Sequence, residues 1–123
     1  MKQSAVVLCT LVLFGCGIGQ KPVSFRDQIQ PIFQAHCVQC HGDESPRGRI
    51  SLTSYASLTS SHTVSGKAPL TVAGQPDQSR LYILCATDQK QFRMPPDTSS
   101  VAPLTPAEIE LVGKWIMQGA KDN

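Results

Sequence analysis

The sequence predicts an all-α fold, with about three main helices and long loops around one covalently held cofactor. Three observations carry this. Three segments place apolar residues three and four apart behind a recognisable helix start. The stretches between them are rich in Ser, Thr, Gly and Pro, which favour turns and loops. The run Cys37-Val38-Gln39-Cys40-His41 has the C-x-x-C-H spacing of covalent c-type haem attachment.

The first helix opens at Ser24, with Asp27 in the place a capping box gives to Glu. Phe25, Ile29, Ile32 and Phe33 then share one face. Pro31 interrupts that pattern and is expected to kink the helix or begin a new turn. The pattern runs into His36 and Cys37, so the C-x-x-C-H run lies at the helix end. Residues 42–48 read as a polar loop. Ile50 and Leu52 alternate with polar residues as a short extended piece, and residues 54–58 read as a single helical turn. Residues 60–74 are loop.

Pro76-Asp77 is expected to open the second helix. Its apolar side carries Leu81, Leu84 and Cys85, with Tyr82 beside them. Residues 88–101 form a Pro-containing loop around Met94. Thr105-Pro106-Ala107-Glu108 joins a capping box to a proline at the first helical position and starts the third helix. Ile109, Val112 and Ile116 mark its buried face, Trp115 adjoins them, and Gly119 is the expected C-terminal cap. Ile29 and Phe33 are expected to meet Trp115 and Ile116, helix on helix, beside the cofactor.

The N-terminal region has another character. Residues 5–14 are almost unbroken apolar, of signal-peptide length and too short to span a bilayer. Leu13-Phe14-Gly15-Cys16 resembles the lipobox of bacterial lipoproteins, in which the cysteine is acylated and becomes the mature N-terminus. The alternative is an ordinary signal cleaved near Gly17 or Gly19. Residues 1–15 are thus expected to be a signal peptide, 16–23 a tether and 24–121 the cofactor domain. The expectation is an exported chain, lipid-anchored through Cys16 to a bacterial membrane, facing the periplasm or the outer membrane. A net charge of +2 without a Lys/Arg cluster gives no basis for nucleic-acid binding. A monomer is expected.

Each cysteine then has a place. Cys9 leaves with the signal, Cys16 takes lipid, Cys37 and Cys40 take haem, and Cys85 remains as a small buried hydrophobe. His41 follows the second thioether and is expected to bind the iron. A carbonyl of residues 46–49 is expected to accept a hydrogen bond from its Nδ1–H and orient the ring. Met94, in Phe92-Arg93-Met94-Pro95-Pro96, is the expected distal ligand, its loop stiffened by two prolines. Met/His ligation closes the iron to exogenous ligands and suits electron transfer. Met117 and His62 are the rival ligands, and Met94 as a gap-filling hydrophobe is the plain alternative. Arg47, Arg49, Lys67 and Arg93 are candidate partners for the haem propionates, or simply solvated charges. A zinc site would need a second ligand pair, with His36, His41, His62 and Cys85 as its candidates. A thioredoxin-like redox pair would need a βαβ context that is absent.

In these features the chain resembles the planctomycete-type cytochrome c family of small monohaem domains. The shared signs are His36-Cys37-Val38-Gln39-Cys40-His41-Gly42, then Gly48-x-Ile50-x-Leu52, then Ala73-Gly74-x-Pro76-x-x-Ser79-x-Leu81-Tyr82. Arg93-Met94-Pro95-Pro96 and Trp115-Ile116-x-x-Gly119-Ala120 follow in order, so the resemblance covers about residues 25–120. It implies a cytochrome c-like fold, one covalent haem c, axial His41 and Met94, and one-electron transfer between redox partner proteins rather than enzymatic turnover. The alternatives are a small haem enzyme or gas sensor with a labile distal Met, and a structural zinc-binding lipoprotein.

Overall fold

The computed structural model describes residues 20–44 and 46–123. The expected signal peptide and the first half of the tether, Cys16 included, lie outside the described residues. Among the described residues there are four α-helices and no strand: α1 Gln30–His36, α2 Tyr55–Ser60, α3 Arg80–Ala86 and α4 Pro106–Met117. None of them is long and apolar enough to cross a membrane. The fourth helix relative to the expected three is α2, the predicted single turn, which Ser54 caps by accepting from the Ser57 amide.

Pro31 decides how the first helix begins. It has no N–H to give to residue 27, and its ring crowds that residue's carbonyl. The chain widens by one residue instead. A π-turn over Phe25–Ile29 precedes α1, and the Gln30 amide reaches back to the Phe25 carbonyl. Ser24 caps this turn as expected, its side chain accepting from the Asp27 amide. Pro31 thus starts a new turn, in the first turn of α1.

The second helix begins later than the sequence suggests. Pro76–Gln78 forms only a short 3₁₀ turn, and Ser79 is extended at φ −87° and ψ 109°. A tertiary demand overrides the local signal. Ser79 Oγ is fully buried, accepts from the Val72 amide at 2.8 Å and donates to the Gln75 carbonyl at 2.9 Å. The Leu81 amide is taken by the Leu70 carbonyl. Helix α3 can start only after these bonds are made, at Arg80.

Helix α4 follows its sequence signals at both ends. Thr105 and Glu108 form a reciprocal capping box. At the other end Gly119 adopts φ +104°, where a side chain is strained. The Gly119 amide bonds to the Ile116 carbonyl and the Ala120 amide to the Trp115 carbonyl, the two bonds of a Schellman cap.

These ends close on one another. Phe25 packs against Phe33, Tyr55 and Trp115 with ring centroids 6.0, 5.2 and 5.4 Å apart. Ile29, Val112 and Ile116 complete this buried cluster. The Val23 amide donates to Gln118 Oε1, and the Phe25 and Arg26 amides to Asn123. The residues bordering the 24–121 span are therefore stitched into it, and Val23 is itself buried.

Candidate cofactor site

The C-x-x-C-H run continues α1 as a wound turn. The Cys37 and Val38 amides both donate to the Phe33 carbonyl, and the Cys40 and His41 amides to the Cys37 carbonyl. This places Cys37, Cys40 and His41 on the wall of one cavity of about 640 Å³. Gly42 closes the turn at short range: a Cβ there would lie 2.9 Å from the Val38 carbonyl oxygen.

The His41 ring is oriented by its Nδ1, 2.9 Å from the Arg47 carbonyl. A carbonyl only accepts, so Nδ1 carries the hydrogen, and in the neutral ring Nε2 is the nitrogen with the lone pair. Nε2 has no hydrogen-bond partner among the described residues, the state in which it can bind a metal. The 3₁₀ turn Arg47–Arg49 that supplies this carbonyl is the predicted source.

Met94 lies on the same cavity wall. Its position follows from the end of α3. A helix end leaves carbonyls without partners, and the Leu84 carbonyl is taken by the Met94 amide at 2.9 Å. The loop is thereby tied to α3. Met94 is followed by a cis peptide bond to the buried Pro95. Neither rival ligand is on the wall. Met117 is 62% exposed on α4, and His62 is exposed and bonds through Nδ1 to the Ser60 carbonyl.

The remaining wall is largely aliphatic: Ile50, Leu52, Leu70, Leu81, Leu84 and Val101. Its charged residues are Arg47 and Arg80, with no carboxylate among the described residues. Arg47 was a propionate candidate in the sequence and Arg80 was not. Arg93, another of the propionate candidates, is not on the wall; it pairs with Asp97, and its Nε is buried without a partner among the described residues. Ile29, Phe33, Trp115 and Ile116 pack helix on helix as expected, but none of the four lines the cavity. They form a separate core.

Cys85 is buried on α3 and also lines the cavity. Burial pushes the Cys37 thiol up to about 12, with Cys85 and then Cys40 adding to it. Burial pushes Cys85 up to about 11. Both are therefore neutral thiols near pH 7, not thiolates. Among the described residues no three His, Cys, Asp or Glu side chains are grouped so as to hold a metal ion.

His36 has no functional reading from sequence beyond the zinc alternative. Its Nδ1 lies 2.8 Å from the Ala102 carbonyl and its Nε2 3.3 Å from Glu108 Oε1. It too lines the cavity. Its partners are distant in sequence, so no local pattern marks it.

The donor set fits a haem. Two thiols three residues apart suit two vinyl groups, and a free imidazole nitrogen suits the iron. An apolar cavity within the usual range for ligand sites suits a flat hydrophobic ring. The class these features define is a small helical domain of the c-type cytochrome kind. The family follows from comparison: the model of planctomycete cytochrome c matches residues 37–98, about half the chain, and the chain belongs to that family. No curated protein and no solved structure matches it. Membership carries haem binding and electron transfer.

Proposed function

We propose that the chain is an exported, membrane-tethered monohaem cytochrome c that passes single electrons between redox partner proteins. The observation that carries this reading is one cavity lined by Cys37, Cys40, His41 and Met94, with the His41 ring already oriented by the Arg47 carbonyl. The two cysteines attach the haem. His41 Nε2 and Met94 Sδ would hold its iron, and the haem would supply a one-electron couple with no bond made or broken in substrate. The chain's own residues do the rest. The aliphatic wall excludes water, the Arg47 carbonyl fixes the imidazole, and the Leu84 carbonyl anchors the Met94 loop. The tether rests on the Gly15-Cys16 pair and the apolar run before it.

One observation favours a second reading. Met94 is 39% exposed, on a loop rather than on a helix. A ligand that leaves readily would open the iron, as in a haem enzyme or gas sensor. The absorption spectrum of the holoprotein, made in a host with cytochrome c maturation, separates the two. Sharp reduced bands, a methionine–iron band when oxidised and no response to carbon monoxide are expected. Met94→Ala should keep covalent haem and gain a carbon monoxide response. A wild-type response would move the sensor or enzyme reading to first place. A Met94→Ala spectrum identical to wild type would remove Met94 as ligand.

A further inference from the structure

His36 stands out because both of its ring nitrogens face groups that only accept. Nδ1 is 2.8 Å from the Ala102 carbonyl, so it carries a hydrogen. Nε2 is 3.3 Å from Glu108 Oε1. The other Glu108 oxygen accepts from the Thr105 amide at 2.7 Å and the Thr105 hydroxyl at 2.8 Å. These bonds and the His36 charge hold the Glu108 carboxyl below the usual carboxylate range, the Thr105 amide contributing most. Glu108 is therefore ionised near neutral pH and offers no proton. With Nδ1 committed to Ala102, the bond to Glu108 exists only when Nε2 also carries a hydrogen. The geometry is that of an imidazolium clamped between two acceptors.

The clamp is partly shielded and adjoins the cofactor. The His36 and Glu108 side chains are 13% and 29% exposed, so their charges are less screened than surface charges. His36 precedes Cys37, a thioether position, and lines the cavity itself. The titratable and charged groups around it can be named. Glu108 faces it from α4. Segment 98–104 brings Ala102 and no titratable side chain. Cys37, Cys40, His41, Cys85, Arg47 and Arg80 share the cavity wall. Among the described residues Glu108 is the one carboxylate bonded to His36.

We infer that His36 is a redox-linked proton site, which makes electron transfer by this domain proton-coupled. The inference rests on the haem reading above. An electron arriving at the iron lowers the positive charge beside Cys37 by one unit, which favours the imidazolium. His36 Nε2 then takes one proton from bulk water and donates it to Glu108. When the electron leaves, the proton returns to water. One electron and one proton enter together, so the net charge of the enclosed site is unchanged. In the oxidised, deprotonated state the Nε2 lone pair faces the Glu108 carboxylate, while Nδ1 keeps its bond to Ala102.

The test is the reduction potential of the purified holoprotein as a function of pH. It should fall as pH rises, because reduction takes up one proton with each electron. His36→Gln should abolish that slope while leaving the haem covalent and the methionine–iron band intact. Glu108→Gln removes the counter-charge and should displace the slope to lower pH; it decides the matter if His36→Gln does not fold. A flat wild-type profile overturns the inference, as does a slope unchanged in both variants, which would assign it to the haem propionates. A protein that carries no haem in the maturation host overturns the haem reading, and this inference with it.

Discussion

Gly42→Ala places a single methyl group where the C-x-x-C-H turn has no room for it. The added Cβ would lie 2.9 Å from the Val38 carbonyl oxygen and 3.8 Å from Val38 Cγ1. The second distance is ordinary contact; the first is one that real Cβ atoms do not show. The obstacle is backbone, not the far end of a side chain, so relief requires the turn itself to open. That turn is held by the Cys40 and His41 amides on the Cys37 carbonyl, and the Leu52 amide bonds to the His41 carbonyl. Overpacking of this kind costs about 1–3 kcal/mol. Against it, Gly→Ala lowers the entropy of the unfolded chain and stabilises by about 0.4–1 kcal/mol. The steric effect should win, for a net loss of about 1–2 kcal/mol. Denaturant unfolding of the holoprotein measures it, and haem incorporation should fall in parallel. Gly66→Ala is the control: nothing lies within 4 Å of its added Cβ, and its strain comes only from φ +69°. A Gly42→Ala protein as stable as wild type would refute the reasoning, because the turn would then be free to shift.

Trp115→Ala removes the largest side chain of the aromatic cluster and should destabilise by about 3–5 kcal/mol in denaturant unfolding; a loss under about 1 kcal/mol would mean the helix ends do not depend on it. Asp43 is held below the usual carboxylate range by hydrogen bonds from Ser51 and then Thr53. Its folded value is depressed, so its stabilisation is present above the ordinary Asp range and lost as pH falls through the folded value. Stability measured against pH should therefore be flatter at the acid end in Asp43→Asn than in wild type. Cys16→Ser should move the protein from the membrane to the soluble fraction on cell fractionation, and a variant that stays with the membrane would point to another anchor. Cys37→Ala combined with Cys40→Ala should give a chain without covalent haem and without a cooperative unfolding transition by circular dichroism.

What was legible in the sequence is what local chemistry decides. Ser24, Ser54 and Thr105 cap helices because their side chains reach amides three residues on, whatever surrounds them. Gly119 is equally local, since the last turn of α4 needs a residue at positive φ to collect its carbonyls. The haem turn is local as well, five consecutive residues wound on the end of α1. Tertiary partners explain what was not legible. Pro76 announces a helix that the bonds of Ser79 to Val72 and Gln75 postpone. Arg93 has the right neighbour in sequence, Met94, but its charge goes to Asp97. Arg80 reaches the cavity because α3 starts there. His36 acquires its meaning from Ala102 and Glu108, which the fold brings beside it.

The interior divides into two parts of different chemistry. Four of the seven aromatic residues, Phe25, Phe33, Tyr55 and Trp115, lie in the cluster beside the bonds that join residues 23–26 to residues 118–123. Tyr82 lies against Gly113, where an added Cβ would meet its ring at 2.9 Å, and Phe92 is half exposed at the cavity. The wall of the second part is largely aliphatic, with the Cys37, Cys40 and Cys85 thiols and Phe92 beside it. The aromatic end can form from side chains alone. On the function proposed above, the end built by α3, the Met94 loop and residues 47–70 takes haem as its core, so attachment at Cys37 and Cys40 and closure of this half would be one thermodynamic event. His36 sits at the boundary, on the last turn of the helix that belongs to both halves.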